Sequence, residues 1–324
     1  AWPAARKPHT RGTWGEGMTA NFHAPNRRDI MSMAASAALS ATWPAFAQTS
    51  LLARKIPSSG EMLPCVGIGT AIIFDFENDA QKLGERSDVI KTLIAGGAKL
   101  IDTAPSYGKA EERVGEILKE TGLRDKIFLA TKVRVADREA SIAEMQASLK
   151  KLQVNKLDLM QLHNVRDPNQ SLDLLRDWKA QGLCRYIGIT SSFDRDYGAV
   201  EACVKKQKPD FFQIDYSLVD RNSEERLIPA AADAGCAILT NLPFGRGKFF
   251  QKIAGKPLPD MAKEIDCTSW AQFALKWLLG HPAITAVIPG TDKAQYMTDN
   301  LKAGMGRLPD AAMRKKMVEI FEAL

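Results

Sequence analysis

Histidine is scarce: four occur in 324 residues, and only His163 and His281 follow residue 47. That scarcity argues against a histidine-rich metal centre. The five cysteines (Cys65, Cys184, Cys203, Cys236 and Cys267) are odd in number, scattered, and free of CxxC or CxxH spacing. Neither a zinc site nor a disulfide framework is indicated, and core packing is their expected role. A cationic stripe is missing too. The net charge is +6, but Arg6, Lys7, Arg11, Arg27 and Arg28 against Glu16 and Asp29 place half of that excess before residue 48. Elsewhere acids and bases interleave, as in Lys119-Glu120 and Glu224-Glu225-Arg226, so nothing tracks a phosphate backbone and nucleic-acid binding is not expected. A Gly-rich dinucleotide turn is also absent: Gly67 and Gly69 have no third glycine and run into Thr70-Ala71-Ile72-Ile73.

What is present begins with an address. Arg27-Arg28 precede a mildly apolar run from Ile30 to Ala41, and Ala45-Phe46-Ala47 gives the small, large, small pattern of a signal-peptidase site. Residues 1–47 therefore read as an export signal of the twin-arginine kind, which implies transient contact with that export machinery and a periplasmic destination. The run is too short to span a bilayer, so no stable membrane insertion is expected. If the leader does not function, the cytoplasm is the alternative.

From residue 48 onward, 45% hydrophobic and 25% charged residues overall suit an ordinary folded protein with room for one barrel domain. Apolar runs alternate with amphipathic stretches. Val66 to Thr70 supplies a first strand, and further strands end near Asp102, Lys132, His163, Thr190, Tyr216, Asn241 and Pro289. Between them, Glu112 to Lys119 and Ser141 to Leu152 carry apolar residues at helical spacing, and Gly122 ends the former. Eight such units over residues 48–324 predict an α/β fold, a (β/α)8 TIM barrel. Ser58-Ser59-Gly60 between Ile56 and Met62 predicts an N-terminal β-hairpin plugging the barrel floor, and a short C-terminal helix occupies Asp310 to Leu324.

Polar residues break the apolar runs at their C-terminal ends: Asp102 after Leu100-Ile101, Lys132 after Ile127 to Thr131, His163 after Leu157 to Leu162, with Tyr107 five residues beyond Asp102. In a parallel barrel that rim is where side chains of separate strands converge on a ligand. A carbonyl accepts hydride at carbon only if its oxygen gains a proton as charge develops, so a reductase needs a donor there. Tyr107 is the candidate acid. Lys132 beside it is expected to lower the phenol pKa, Asp102 to hold the ammonium, and His163 to orient the substrate oxygen. Each residue alone has a plainer reading: a loop tyrosine, a solvated lysine, a core histidine, an aspartate helix cap. Three consecutive strand ends each presenting a required group favour chemistry.

At these residues the chain resembles the aldo-keto reductase superfamily. Leu100 to Gly108, with Glu111 and Val114-Gly115, is similar to that family's signature; Ala130-Thr131-Lys132 and Leu162-His163 match its lysine and histidine segments. The resemblance runs from about Ile56 to Asn300. It implies a monomeric barrel enzyme that reduces an aldehyde or ketone with NAD(P)H, and Asp102, Tyr107, Lys132 and His163 as the catalytic set. It further implies cofactor contacts from Thr70, Asp102, Thr190, Ser191 and Gln213, an aromatic stack from Tyr216, a covering loop with Phe244, Gly245 and Arg246, and an adenosine end at Pro289, Gly290, Thr291 and Asn300.

Gly290 and Tyr296 stand where many members carry Lys and Arg toward a 2′-phosphate, so NADP(H) is only slightly favoured over NAD(H). Ala71 replaces a common pocket tryptophan, and the short tail implies an open substrate site. A non-catalytic nucleotide-binding or partner-binding protein of the same fold is the competing expectation; the intact tetrad favours the enzyme.

Overall fold

The computed structural model describes residues 50–134, 137–168 and 170–324; the leader expected over residues 1–47 lies outside them. Two short strands come first, β1 (Ala53–Lys55) and β2 (Met62–Pro64), antiparallel with Lys55 opposite Met62. The turn closes with Gly60 at φ +77°, where a side chain would be strained. This is the expected hairpin, and its Ile56 and Leu63 pack with the barrel interior.

Eight parallel strands follow: β3 (Ile68–Gly69), β4 (Leu100–Asp102), β5 (Phe128–Val133), β6 (Leu157–His163), β7 (Cys184–Ser191), β8 (Phe211–Asp215), β9 (Ala237–Asn241) and β10 (Ile284–Val287). They pair in chain order, and bridges from Val66 to Val287 and from Gly69 to Gly290 close the ring. The fold is a (β/α)8 barrel, as the alternation predicts. Its helices are α1 (Ala80–Ala95), α2 (Ala110–Thr121), α3 (Arg138–Leu152), α4 (Asp173–Ala180), α5 (Tyr197–Gln207), α6 (Leu227–Asp233), α7 (Lys248–Lys252), α8 (Trp270–Leu279), α9 (Ala294–Lys302) and α10 (Ala311–Glu322).

Local chemistry sets the helix ends. Asp79, Asp137, Ser269 and Asp310 cap α1, α3, α8 and α10 by accepting a backbone N–H of the first turn. Gly122 terminates α2 in the left-handed conformation at φ +65°. Within α2, Gly115 lets the backbone of α3 approach: a Cβ there would lie 2.2 Å from the Lys151 carbonyl oxygen.

Two cores result. Helices and outward strand faces bury one large shell, while Leu100, Phe128, Leu159, Tyr186, Phe211 and Leu239 fill the barrel itself with Ile56 and Leu63. All five cysteines are buried and unpaired. Burial pushes their thiols up, that of Cys65 to about 12, so they behave as small apolar residues. The floor is held by charge: Glu61 accepts from Lys99 Nζ at 2.8 Å, from the Tyr186 hydroxyl at 2.7 Å and from Arg185. That pins the hairpin to the N-terminal ends of β4 and β7.

Candidate active site

Alternation along the strands decides what reaches the rim, because residues two apart share a face. Phe128 and Ala130 point into the barrel and Lys132 follows them; Leu159 leads to Gln161 and His163; Phe211 leads to Gln213 and Asp215; Ala237 and Leu239 lead to Asn241. Each inward row thus begins as packing and ends as a polar group at the C-terminal mouth. There a cavity of about 500 Å³ opens, lined by Thr70, Asp102, Tyr107, His163, Gln213 and Asn241 among others. A larger cavity of about 620 Å³ lies at the floor, but Glu61, Lys99, Arg124, Asp158 and Arg185 there are engaged with one another. The rim is the chemical end.

All four residues expected to be catalytic meet in that mouth. Lys132 Nζ donates to Asp102 Oδ2 at 2.7 Å and to the Thr103 carbonyl at 2.8 Å, with both side chains buried. Asp102 and the Tyr107 phenol raise the Lys132 pKa and more than offset the burial that lowers it, so the ammonium stays charged. That ammonium lies 5.0 Å from the centre of the Tyr107 ring. The His163 ring meets Tyr107 edge-on at 5.9 Å, and its Nδ1 lies 3.5 Å from Ser106 Oγ. Burial, with Lys132 and Arg134 behind it, depresses His163 to about 3, so the imidazole is neutral.

One expectation is overturned. Lys132 does pull the Tyr107 pKa down, but burial is the larger effect and Asp102 opposes Lys132, so the phenol is raised above its ordinary value. Tyr107 is held as a neutral O–H. It can donate a proton but does not rest as phenolate.

The residues expected to hold a nucleotide divide by strand parity. Gln213 faces the cavity, with Nε2 3.3 Å from Asp102 Oδ2. Thr70 lines it too; its backbone N–H donates to the Asp102 carbonyl at 3.0 Å and its hydroxyl is buried without a partner. Thr190 is inward and buried in β7, whereas Ser191 shares the outward face of Ile187 and Ile189, and it is Ser192 that lines the mouth. Tyr216 requires correction. With Phe212 and Ile214 it faces the helical layer, its ring 4.9 Å from that of Trp277 and its hydroxyl accepting from Arg314 at 2.6 Å. It cannot supply the aromatic stack; at the same rim height Asn241 stands on the neighbouring strand.

Phe244 and Arg246 line the cavity from a loop in which Leu242, Gly245, Arg246 and Gly247 all have positive φ. Three of the four values fall in the tight range of 49–55°, and two of those belong to residues other than glycine, so backbone strain is concentrated beside the cavity. Gly245 also packs there on Val219, 2.8 Å from where its Cβ would be. Pro289 accepts from the Gly69 N–H at 3.2 Å, and Gly290 lines the mouth beside it. Thr291 and Asn300 are buried and do not line the cavity. Asp299, next to Asn300, accepts from Ser269 and Gln272, both at 2.6 Å, fastening α9 to α8.

Sequence reasoning missed Gln161, Asn164, Ser192, Asp215 and Asn241. For Gln161, Asp215 and Asn241 the signal was there, since each continues an inward row. Burial pushes Asp215 up to about 6, against Ser192 and Arg246, which lower it. Asn164, at φ +59°, and Asn241 each bury a side-chain oxygen with no partner at the cavity wall, as Thr70 does. Unsatisfied polar atoms at a concave rim suit a polar ligand.

The family model for the Aldo/keto reductase family matches residues 66–317. Among curated proteins, the chain is 27% identical over 313 residues to a probable aldo-keto reductase 1 of Glycine max, covering 83% of this chain and 88% of that one. It is 29% identical over 296 residues to an NADP-dependent D-sorbitol-6-phosphate dehydrogenase of Malus domestica, covering 79% and 90%. Among solved structures, a Klebsiella pneumoniae aldo-keto reductase in complex with NADPH superposes with a TM-score of 0.69 at 22% identity, over 84% of this chain and 95% of that one. A thermostable aldo-keto reductase bound to the inhibitor epalrestat gives 0.68 at 27% identity, over 84% and 100%. With the rim geometry and a family match across most of its length, the chain belongs to the aldo/keto reductase family.

Proposed function

We propose that the protein reduces an aldehyde or ketone to an alcohol with NAD(P)H, and that Tyr107 is the general acid. The observation that carries this is the pairing, at one cavity, of a phenol kept neutral by burial with a buried Lys132–Asp102 ion pair. As the carbonyl oxygen gains charge, Tyr107 donates its proton, and the Lys132 ammonium stabilises the phenolate left behind. Asp102 holds that ammonium at 2.7 Å. His163, neutral at physiological pH, donates from one ring nitrogen to the substrate oxygen without competing as an acid.

A nicotinamide nucleotide fits the residues present. The unpartnered oxygens of Thr70, Asn164 and Asn241, the Gln213 amide and the strained Leu242 to Gly247 loop all border one cavity. A reduced nicotinamide held there would supply the hydride. Thr70, Asp102 and Gln213 would hold its ring and ribose end and Arg246 its phosphates. NADP(H) over NAD(H) is the proposed preference; the printed names of relatives that use NADP or bind NADPH support it, and Arg246 and the exposed Lys293 are the available cations.

The barrel is further proposed to act as a monomer, exported to the periplasm by the leader at residues 1–47 after folding. Loss of nicotinamide absorbance when the purified protein is mixed with NADPH and a panel of aldehydes tests the activity. No turnover of any aldehyde or ketone, with nucleotide bound, would favour a binding protein instead.

A further inference from the structure

Beneath the rim lies a second polar line that the proton chemistry leaves unused. Gln161 is fully buried in β6, two residues below His163 and opposite Lys132 on β5 and Gly188 on β7. Its Nε2 donates to Gln213 Oε1 at 2.9 Å and lies 3.3 Å from Asp102 Oδ1; Gln213 Nε2 lies 3.3 Å from Asp102 Oδ2. To reach Gln213 on β8, the Gln161 side chain must cross β7. It crosses at Gly188, where a Cβ would stand 3.0 Å from Gln161 Cγ and 3.0 Å from the Phe211 carbonyl oxygen.

Chemistry fixes the orientation of both amides. Asp102, ion-paired with Lys132, only accepts, so each glutamine turns its NH₂ toward it. The oxygen of Gln213 accepts from Gln161, which turns it toward β6, and one of its N–H groups goes to Asp102. A single N–H remains for the cavity. Gln213 therefore presents a donor to the ligand, and the matching group is a carbonyl-type acceptor on the bound nucleotide. The arrangement also carries a cost, because Gln161 Oε1 is itself buried without a partner.

We propose that Gln161 is a positioning residue: reaching across Gly188, it locks the Gln213 carboxamide with its donor facing the cavity and joins the nucleotide-binding amide to the Asp102–Lys132 pair. This rests on the reductase reading above. Gln161→Met keeps length and volume but removes the donors; it is expected to weaken NADPH binding about tenfold and to lower kcat, with the pH profile unchanged in shape. Gln161→Glu is isosteric, but its ionised form cannot donate. The ionisable groups facing position 161 are Asp102 from β4 and Lys132 from β5, with Tyr107, His163 and Asp215 above; β7 contributes Gly188. Beside Asp102 the new carboxylate is protonated as pH falls and then donates again, so its deficit relative to the unaltered protein shrinks toward low pH.

The experiment is NADPH affinity by fluorescence and kcat against pH for the full chain and both variants, with melting temperatures recorded. An unaltered protein that neither binds NADPH nor turns over would contradict the reductase reading itself. If it is active, two results overturn the role of Gln161. One is variants that match it in affinity, kcat and pH dependence, even with lowered melting temperatures; the other is a Gln161→Glu deficit that does not change with pH.

Discussion

Two titrating side chains at the mouth make stability depend on pH in opposite directions. His163 is depressed from 6.5 to about 3, so its contribution is complete above 6.5 and is lost as pH falls toward 3. Acidification from pH 6.5 to 5 is therefore expected to destabilise the protein relative to His163→Gln by up to roughly 1.4 kcal/mol per pH unit, read from denaturant midpoints. Asp215 is raised from 3.8 to about 6, so its contribution is complete below 3.8 and is lost as pH rises through 6. Asp215→Asn should gain melting temperature over the unaltered protein at pH 8 but not at pH 3.5. An equal difference at both pH values would contradict the buried carboxyl. At this scale residue types and spacing were legible from the chain, but burial was not. Hence Asp102, Tyr107, Lys132 and His163 could be named, whereas the upward direction of the Tyr107 pKa could not: it depends on how much water the fold removes.

Elements carry the geometry of the mouth. Asp75, in the loop after β3, accepts the Lys109 N–H at 2.9 Å and so ties that loop to the start of α2, immediately past Tyr107. Gly108 makes this possible, since at φ +57° a Cβ would stand 2.0 Å from the Asp75 carboxylate. Gly108→Ala should displace the Tyr107 loop and cut kcat at least about tenfold in a protein that still melts cooperatively. Wild-type kcat would show that the Asp75 clasp does not position Tyr107. In the outer layer, Gly115→Ala drives a methyl group into the α3 backbone and should cost roughly 1 to 3 kcal/mol with little effect on kcat per folded molecule. Strand existence, order and rim position were legible from the alternation of runs. Facing direction was legible as well, but only by counting in twos, and this is why Tyr216 misled: its motif ends a strand, yet its parity matches Ile214 rather than Asp215. Gln161 continues the inward row of Leu159 and was legible by the same count, but as a polar residue inside an apolar run it has no motif to draw attention to it.

As a whole, the molecule separates stability from chemistry by end. At the floor the hairpin is clamped by Glu61 through Lys99, Tyr186 and Arg185, and Ile56 and Leu63 close the interior. At the mouth, polar atoms are left unpaired, backbone is strained, and an ion pair is buried beside a neutral phenol. Such a division is expected of a barrel whose stable end supports a costly one. The measurement that bears most directly on the site is Tyr107→Phe, assayed for aldehyde reduction and for NADPH affinity in the same preparation. Tyr107 as proton donor requires kcat to fall by a factor of a hundred or more, on the order of general acid catalysis, with nucleotide affinity retained. Turnover at the rate of the unaltered protein would remove Tyr107 from its role.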